Sequence, residues 1–185
     1  MKFTTAFTAL AAATLAQADL VERSGSKLTQ SVAASRLSAG GVGWTSSGGC
    51  SDKNNPTCTS FDGVYSGTVD GAITLKRACG CTVTITGGTE TGHAGGTYRS
   101  VYAFHVCDDP FIQETVAERC IYLLVGLISH ANGYKFDFAK NSGLNSYVTN
   151  SFTRIADRSD GYPQWQASSG NIYCDEGNHW DVTFY

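Results

Sequence analysis

Hydrophobic patterning along the chain starts with a short apolar run, loses its rhythm, and recovers it after Cys50. Behind Lys2 the chain is apolar from about Phe7 to Leu15, and Ala16-Gln17-Ala18 follows. A charged start, a short apolar stretch and an A-x-A site predict a secretory signal over residues 1–18, too short to span a membrane. Residues 24–49 are rich in Ser, Gly and Ala with little apolar periodicity, which predicts a flexible linker or pro-segment over 19–49. Order is expected from Cys50 onward, as one domain over 50–185. Val69, Ala72, Ile73 and Leu75 share a helical face between Ser66 and Ala78, with Lys76 and Arg77 in the last turn and Gly80 as a stop. Cys81 to Thr86 alternates and is β-branched, which predicts a strand ended by Gly87-Gly88. A short helix is expected over Leu144 to Phe152. Strands are expected over Asn171 to Cys174 and Trp180 to Tyr185, joined by the turn Asp175-Glu176-Gly177-Asn178.

One stretch breaks this pattern. Arg99 to Ile128 carries Cys107, Cys120, His105 and the run Ile121-Tyr122-Leu123-Leu124-Val125 between polar flanks rich in Gly and Thr. Removing it joins Gly95-Gly96-Thr97-Tyr98 to Ser129-His130. We expect 99–128 to be a retained intron or inserted segment that loops out, with His93 and His130 close together across its base. The alternative is a genuine inserted amphipathic helix over Asp108 to Leu127.

Charge and cysteine content narrow the class. The net charge is -3 with no basic block, which argues against nucleic acid and against an anionic membrane as partner. Seven cysteines in a secreted chain predict disulfides, and the odd number leaves one without an internal partner. Cys50 and Cys58 flank a polar turn and would close a small loop. A bond between Cys79 and Cys81 is expected to be disfavoured, and a pairing of one of them with Cys174 would brace the turn that holds Glu176.

The chemistry lies in Ser129-His130-Ala131-Asn132-Gly133-Tyr134-Lys135-Phe136-Asp137 and in Glu176-Gly177-Asn178-His179-Trp180. His130, Asp137 and His179 supply two imidazoles and a carboxylate, a zinc ligand set that leaves a fourth position open. Asp137 lies between Phe136 and Phe138, where a buried carboxylate needs a partner. Glu176, three residues before His179, is the candidate proton acceptor. Trp180, Tyr134 and Ser129 are candidate substrate contacts.

Together, S-H-x2-G-x3-D and E-x2-H-W resemble the LAS metallopeptidases, most closely the D-Ala-D-Ala carboxypeptidase and L-alanyl-D-glutamate endopeptidase branch. The resemblance covers about Ser66 to Tyr185, and only the two motifs are specific. It implies an α+β, LAS/hedgehog-like fold: a small antiparallel sheet with helices packed on one side. It also implies zinc on His130, Asp137 and His179, Glu176 as general base, and a secreted, monomeric enzyme acting on peptidoglycan stem peptides. Such enzymes usually carry an arginine after the strand turn. Here the equivalent stretch is Gly87-Gly88-Thr89-Glu90, and His93 becomes the candidate donor to the oxyanion. Two alternatives remain: a binding module that keeps the metal without turnover, and a glycoside hydrolase using Glu90 and Glu176. No G-x-S-x-G elbow is present.

Overall fold

The computed structural model of the chain describes residues 24–93, 97–104 and 121–185. The signal sequence, Cys107, Cys120, His105 and most of the suspected insert lie outside these residues. The chain divides into two units. Arg23–Thr97 with Ile128–Tyr185 form one, and the described parts of Tyr98–Leu127 belong to the other.

The larger unit is α+β. Its elements are β1 (Lys27–Leu28), α1 (Gln30–Ala39), β2 (Gly43–Trp44), β3 (Val64–Tyr65), α2 (Ser66–Cys79) and β4 (Thr84–Gly87). β5 (Thr97–Phe104) pairs with β6 (Ile121–Ile128) as a two-stranded sheet, all of it but Thr97 and Ile128 in the other unit. Then follow β7 (Lys135–Ala139), α3 (Ser142–Ser151), β8 (Thr153–Ile155), β9 (Gln164–Gln166), β10 (Ile172–Asp175) and β11 (His179–Thr183). Residues 121–128 are thus strand, where the alternative reading of the insert expected the end of a helix. The run is rich in β-branched and aromatic residues, which favour a strand.

A seven-stranded sheet runs in the order β2-β4-β7-β11-β10-β9-β8. It is larger than the small sheet expected, and mixed, because β2 pairs with β4 in parallel while the other pairs are antiparallel. Strand alternation sets its chemistry. On β7, Phe136 and Phe138 enter the core, and on β11, Trp180 and Val182 do the same. The period of two therefore sends Asp137, His179 and Asp181 to the opposite face. Asp137 pairs directly with Asp181, and His179 with Ala139. The core side is closed by α2, which buries Val69, Ala72, Ile73 and Leu75, and by Leu144 and Val148 of α3. Gly80 ends α2 in the left-handed conformation, with φ 60°. Asn141 caps α3 by accepting from the Leu144 amide at 3.0 Å.

Two expectations need correction. Residues 24–49 are not a flexible linker throughout, because 30–39 is a helix whose Ala33 and Leu37 are fully buried in the core. Its apolar signal was weak because an alanine supplies half of the buried i, i+4 pair. Cys79 and Cys81 are bonded to each other, and Cys174 is free and buried. Burial pushes the Cys174 thiol up to about 12, so it stays protonated and unreactive. The strand expected from Cys81 begins at Thr84. Cys50 and Cys58 form the expected small loop.

Candidate metal centre

The turn that carries His130 is docked before β7 begins. Gly133 N–H donates to His130 O at 2.8 Å, and Gly133 has φ 83°. Its carbonyl accepts from Tyr65 N at 3.1 Å and from Thr68 Oγ1 at 2.8 Å. A side chain on residue 133 would meet Gly63 O at 2.4 Å, so only glycine permits this approach. The turn presents His130, only 4% exposed, over the face of the sheet that bears Asp137.

His130 and His179 each turn Nε2 toward the Asp137 carboxylate. Asp137 Oδ1 lies 3.2 Å from His130 Nε2 and 3.4 Å from His179 Nε2. Among the described residues, only Asp137 Oδ1 and Asp181 Oδ1 are buried side-chain oxygens or nitrogens without a hydrogen-bond partner. An orphaned buried carboxylate oxygen between two imidazoles is what a cation would satisfy. One ligand atom each from His93, His130 and Asp137 also lie within 4.8 Å of one another, so this group could hold a metal ion.

The second nitrogen of each histidine is fixed. His130 Nδ1 lies 2.9 Å from Gly88 O, which can only accept, so Nδ1 carries the proton and Nε2 is left for a ligand. His179 Nδ1 lies 2.7 Å from Asn178 Oδ1, with the same consequence. His93 differs, with Nε2 2.7 Å from Glu90 Oε1 and Nδ1 3.1 Å from Asp137 Oδ2. The His93 and His130 rings stack with centroids 4.5 Å apart.

Charge follows from these contacts. Burial would push the Asp137 carboxyl up, but the His130, His179 and His93 imidazoles set against it prevail and hold it well below the usual carboxylate range. Asp137 and then Glu90 raise His93 to about 10 against burial. Burial lowers His130, yet Asp137 and Asp181 carry it up to about 9. Asp137 likewise raises His179.

Glu176 sits beside the centre, with Oε2 3.2 Å from His179 Nε2 and Oε1 2.5 Å from an Arg158 guanidinium nitrogen. A cleft of about 460 Å³ opens here, lined by His93, His130, Asp137, Glu176, His179 and Asp181 among others.

Ser129, Tyr134 and Trp180 do not line this cleft. Trp180 neighbours His179 on a strand, so its ring points the other way, into the core, where its indole N–H donates to Asn145 Oδ1 at 2.8 Å. Tyr134 packs on Tyr65, and Ser129 Oγ accepts from Asn132 N within the turn. Glu90 is 2% exposed and accepts from Ser60 N, Gly88 N and His93. A carboxylate so fully occupied is unavailable as a glycosidase acid or nucleophile.

Sequence reasoning missed Asp181 and Arg158. Asp181 Oδ1 lies 3.6 Å from His130 Nε2, while its Oδ2 accepts from Lys135 at 2.8 Å and Arg158 at 2.9 Å. Its signal was available, because it lies two residues after His179 and so shares its face. Arg158 comes from the loop between β8 and β9, and no sequence spacing points from there to the site.

No protein-family model matches the chain, and neither a curated protein nor a solved structure gives a significant match.

Proposed function

We propose that this chain is a secreted zinc-dependent peptidase that hydrolyses amide bonds of peptidoglycan stem peptides, with His130, Asp137 and His179 as the zinc ligands. The observation that carries the proposal is the orphaned Asp137 Oδ1 between the two imidazole nitrogens, at 3.2 and 3.4 Å, with Glu176 alongside. Substrate class rests on the likeness of the two motifs to the LAS peptidases. Secretion is supported by the A-x-A signal and by two disulfides, which persist in oxidising compartments.

Bound zinc would supply a Lewis acid for the scissile carbonyl and make water more acidic. The chain's own part is positioning and proton transfer. Arg158 holds one oxygen of Glu176, and the other faces His179 at the cleft. That second oxygen takes a proton from the attacking water and passes it to the leaving amine. Lys135 and Arg158 fix Asp181 at the floor of the cleft.

The test is digestion of purified peptidoglycan, read by mass spectrometry with and without chelator. New amine termini should appear, vanish with chelator and return with zinc. Glu176→Gln should keep zinc and lose on the order of 10²–10⁴-fold in rate. Bound zinc without any stem-peptide cleavage would leave a binding module. Glycosidic cleavage that survives chelation would favour a glycoside hydrolase.

A further inference from the structure

Two histidines compete for the place of third metal donor. His93 belongs to the compact group with His130 and Asp137, while His179 belongs to the sequence motif. We propose that His93 is not a ligand but a positioning residue, clamped by Glu90 and holding Asp137 Oδ2 so that Oδ1 is presented to the metal. This rests on the reading of Asp137 as a ligand.

The geometry separates the histidines by what each ring nitrogen faces. His130 and His179 each give one N–H to an uncharged oxygen, Gly88 O or Asn178 Oδ1, and turn the other nitrogen toward Asp137 Oδ1. His93 places each of its nitrogens against a carboxylate: Glu90 Oε1 at 2.7 Å and Asp137 Oδ2 at 3.1 Å. His130 and His179 thus share Oδ1 of Asp137, whereas His93 takes Oδ2. The two oxygens of Asp137 are thereby divided. Oδ2 faces His93, and Oδ1 has no hydrogen-bond partner. Outer groups that orient a ligand in this way tune metal affinity.

The scaffold is built around the clamp. Glu90 is locked in turn by the Ser60 amide at 2.7 Å and the Gly88 amide at 2.9 Å. Gly87 leaves the space in which His93 meets Asp137. A Cβ there would lie 2.5 Å from Asp137 Oδ2 and 2.5 Å from His93 Cε1. The Gly87-Gly88-Thr89-Glu90 stretch thus gains a purpose that does not require the missing arginine.

The experiment titrates the purified full chain with Zn²⁺ and Co²⁺, measuring stoichiometry, affinity and the cobalt absorption spectrum. His93→Ala should still bind one ion with an unchanged cobalt spectrum, but about 10–100-fold more weakly. His93→Asn, whose amide nitrogen can replace Nδ1 as donor to Asp137, should recover most of that loss. His179→Ala should alter the cobalt spectrum and lose stoichiometric binding. Circular dichroism checks that each variant is folded, and His93→Asn keeps the test decisive where His93→Ala unfolds. The proposal is overturned if His93→Ala changes the cobalt spectrum while His179→Ala does not, for His93 would then be the ligand. It is equally overturned if His93→Ala binds as tightly as the unaltered chain, or if His93→Asn is no better than His93→Ala. Failure of the unaltered chain to bind either ion would instead sink the metal reading itself, and would be seen without any substitution.

Discussion

Gly87→Ala should damage metal binding more than it damages the fold. The added methyl would lie 2.5 Å from both Asp137 Oδ2 and His93 Cε1, and 3.0 Å from His93 Nε2. Non-bonded heavy atoms settle at about 3.5–4.0 Å, so roughly 1 Å of overlap must be relieved. Backbone movement is restrained on one side, because Gly87 pairs with Asp137 on β7. The side chains must therefore give way, and they are the groups that meet at the centre. Overpacking of this kind costs about 1–3 kcal/mol. For a chain of this size that is a fall in Tm of about 2–12 °C. Displacing the Asp137 carboxylate or its His93 partner should also weaken zinc by about 10–100-fold, as loss of an outer partner does. Gly43→Ala on the same sheet is the control. Its Cβ would meet nothing closer than 3.9 Å, so stability should stay within about 0.5 kcal/mol. Isothermal titration with zinc and calorimetric melts of both variants make the comparison. If Gly87→Ala binds zinc and melts as the unaltered chain does, the close approach has no consequence and the account of this loop is wrong.

Arg158→Met should lower kcat more than it raises KM, because Glu176 and Asp181 each lose a charged donor; the stability cost should be about 1.5–3 kcal/mol. Arg158→Lys should restore part of kcat, and equal rates for all three proteins would remove Arg158 from any positioning role. In metal-free protein, His93 and His130 titrate near 10 and 9 against about 6.5 unfolded, so their contribution is complete below about pH 6.5 and is lost as pH rises through those values. Asp137 and Asp181 are held low, so theirs is present above about pH 4 and lost as pH falls through their depressed values. Urea midpoints with chelator should therefore peak between about pH 4 and 6.5, and a midpoint that climbs steadily to alkaline pH would contradict this. Deleting residues 99–127, which lie outside the larger unit but leave buried Ile128 in place, should preserve a cooperative melt and zinc binding. Loss of folding on deletion would show that the segment is native to the domain.

The local pattern determined a good deal of this protein. α2 and its glycine stop, the β-branched strand ended by Gly87 and the hairpin carrying Glu176 and His179 were legible because each rests on a short-range period or turn, whereas the strand carrying Asp137 was not among the elements expected. Motif spacing brought His130 and Asp137 together, but His93, which completes the compact group with them, was expected only near His130 and as an oxyanion donor. Tertiary structure decided the rest. Helix α1 was hidden, since Ala33 and Leu37 became core positions only once packed with the rest of the core. Trp180 looked like a cleft residue because it adjoins His179, yet strand alternation puts the two on opposite faces. The Cys79–Cys81 bond forms locally where α2 ends, and leaves Cys174 free and buried. Glu90 read as a missing positive charge and proved to be the clamp on His93. Arg158 arrives from a loop remote in sequence. Periodicity specifies which residues share a face, but only the assembled sheet sets which faces and loops come within hydrogen-bond reach.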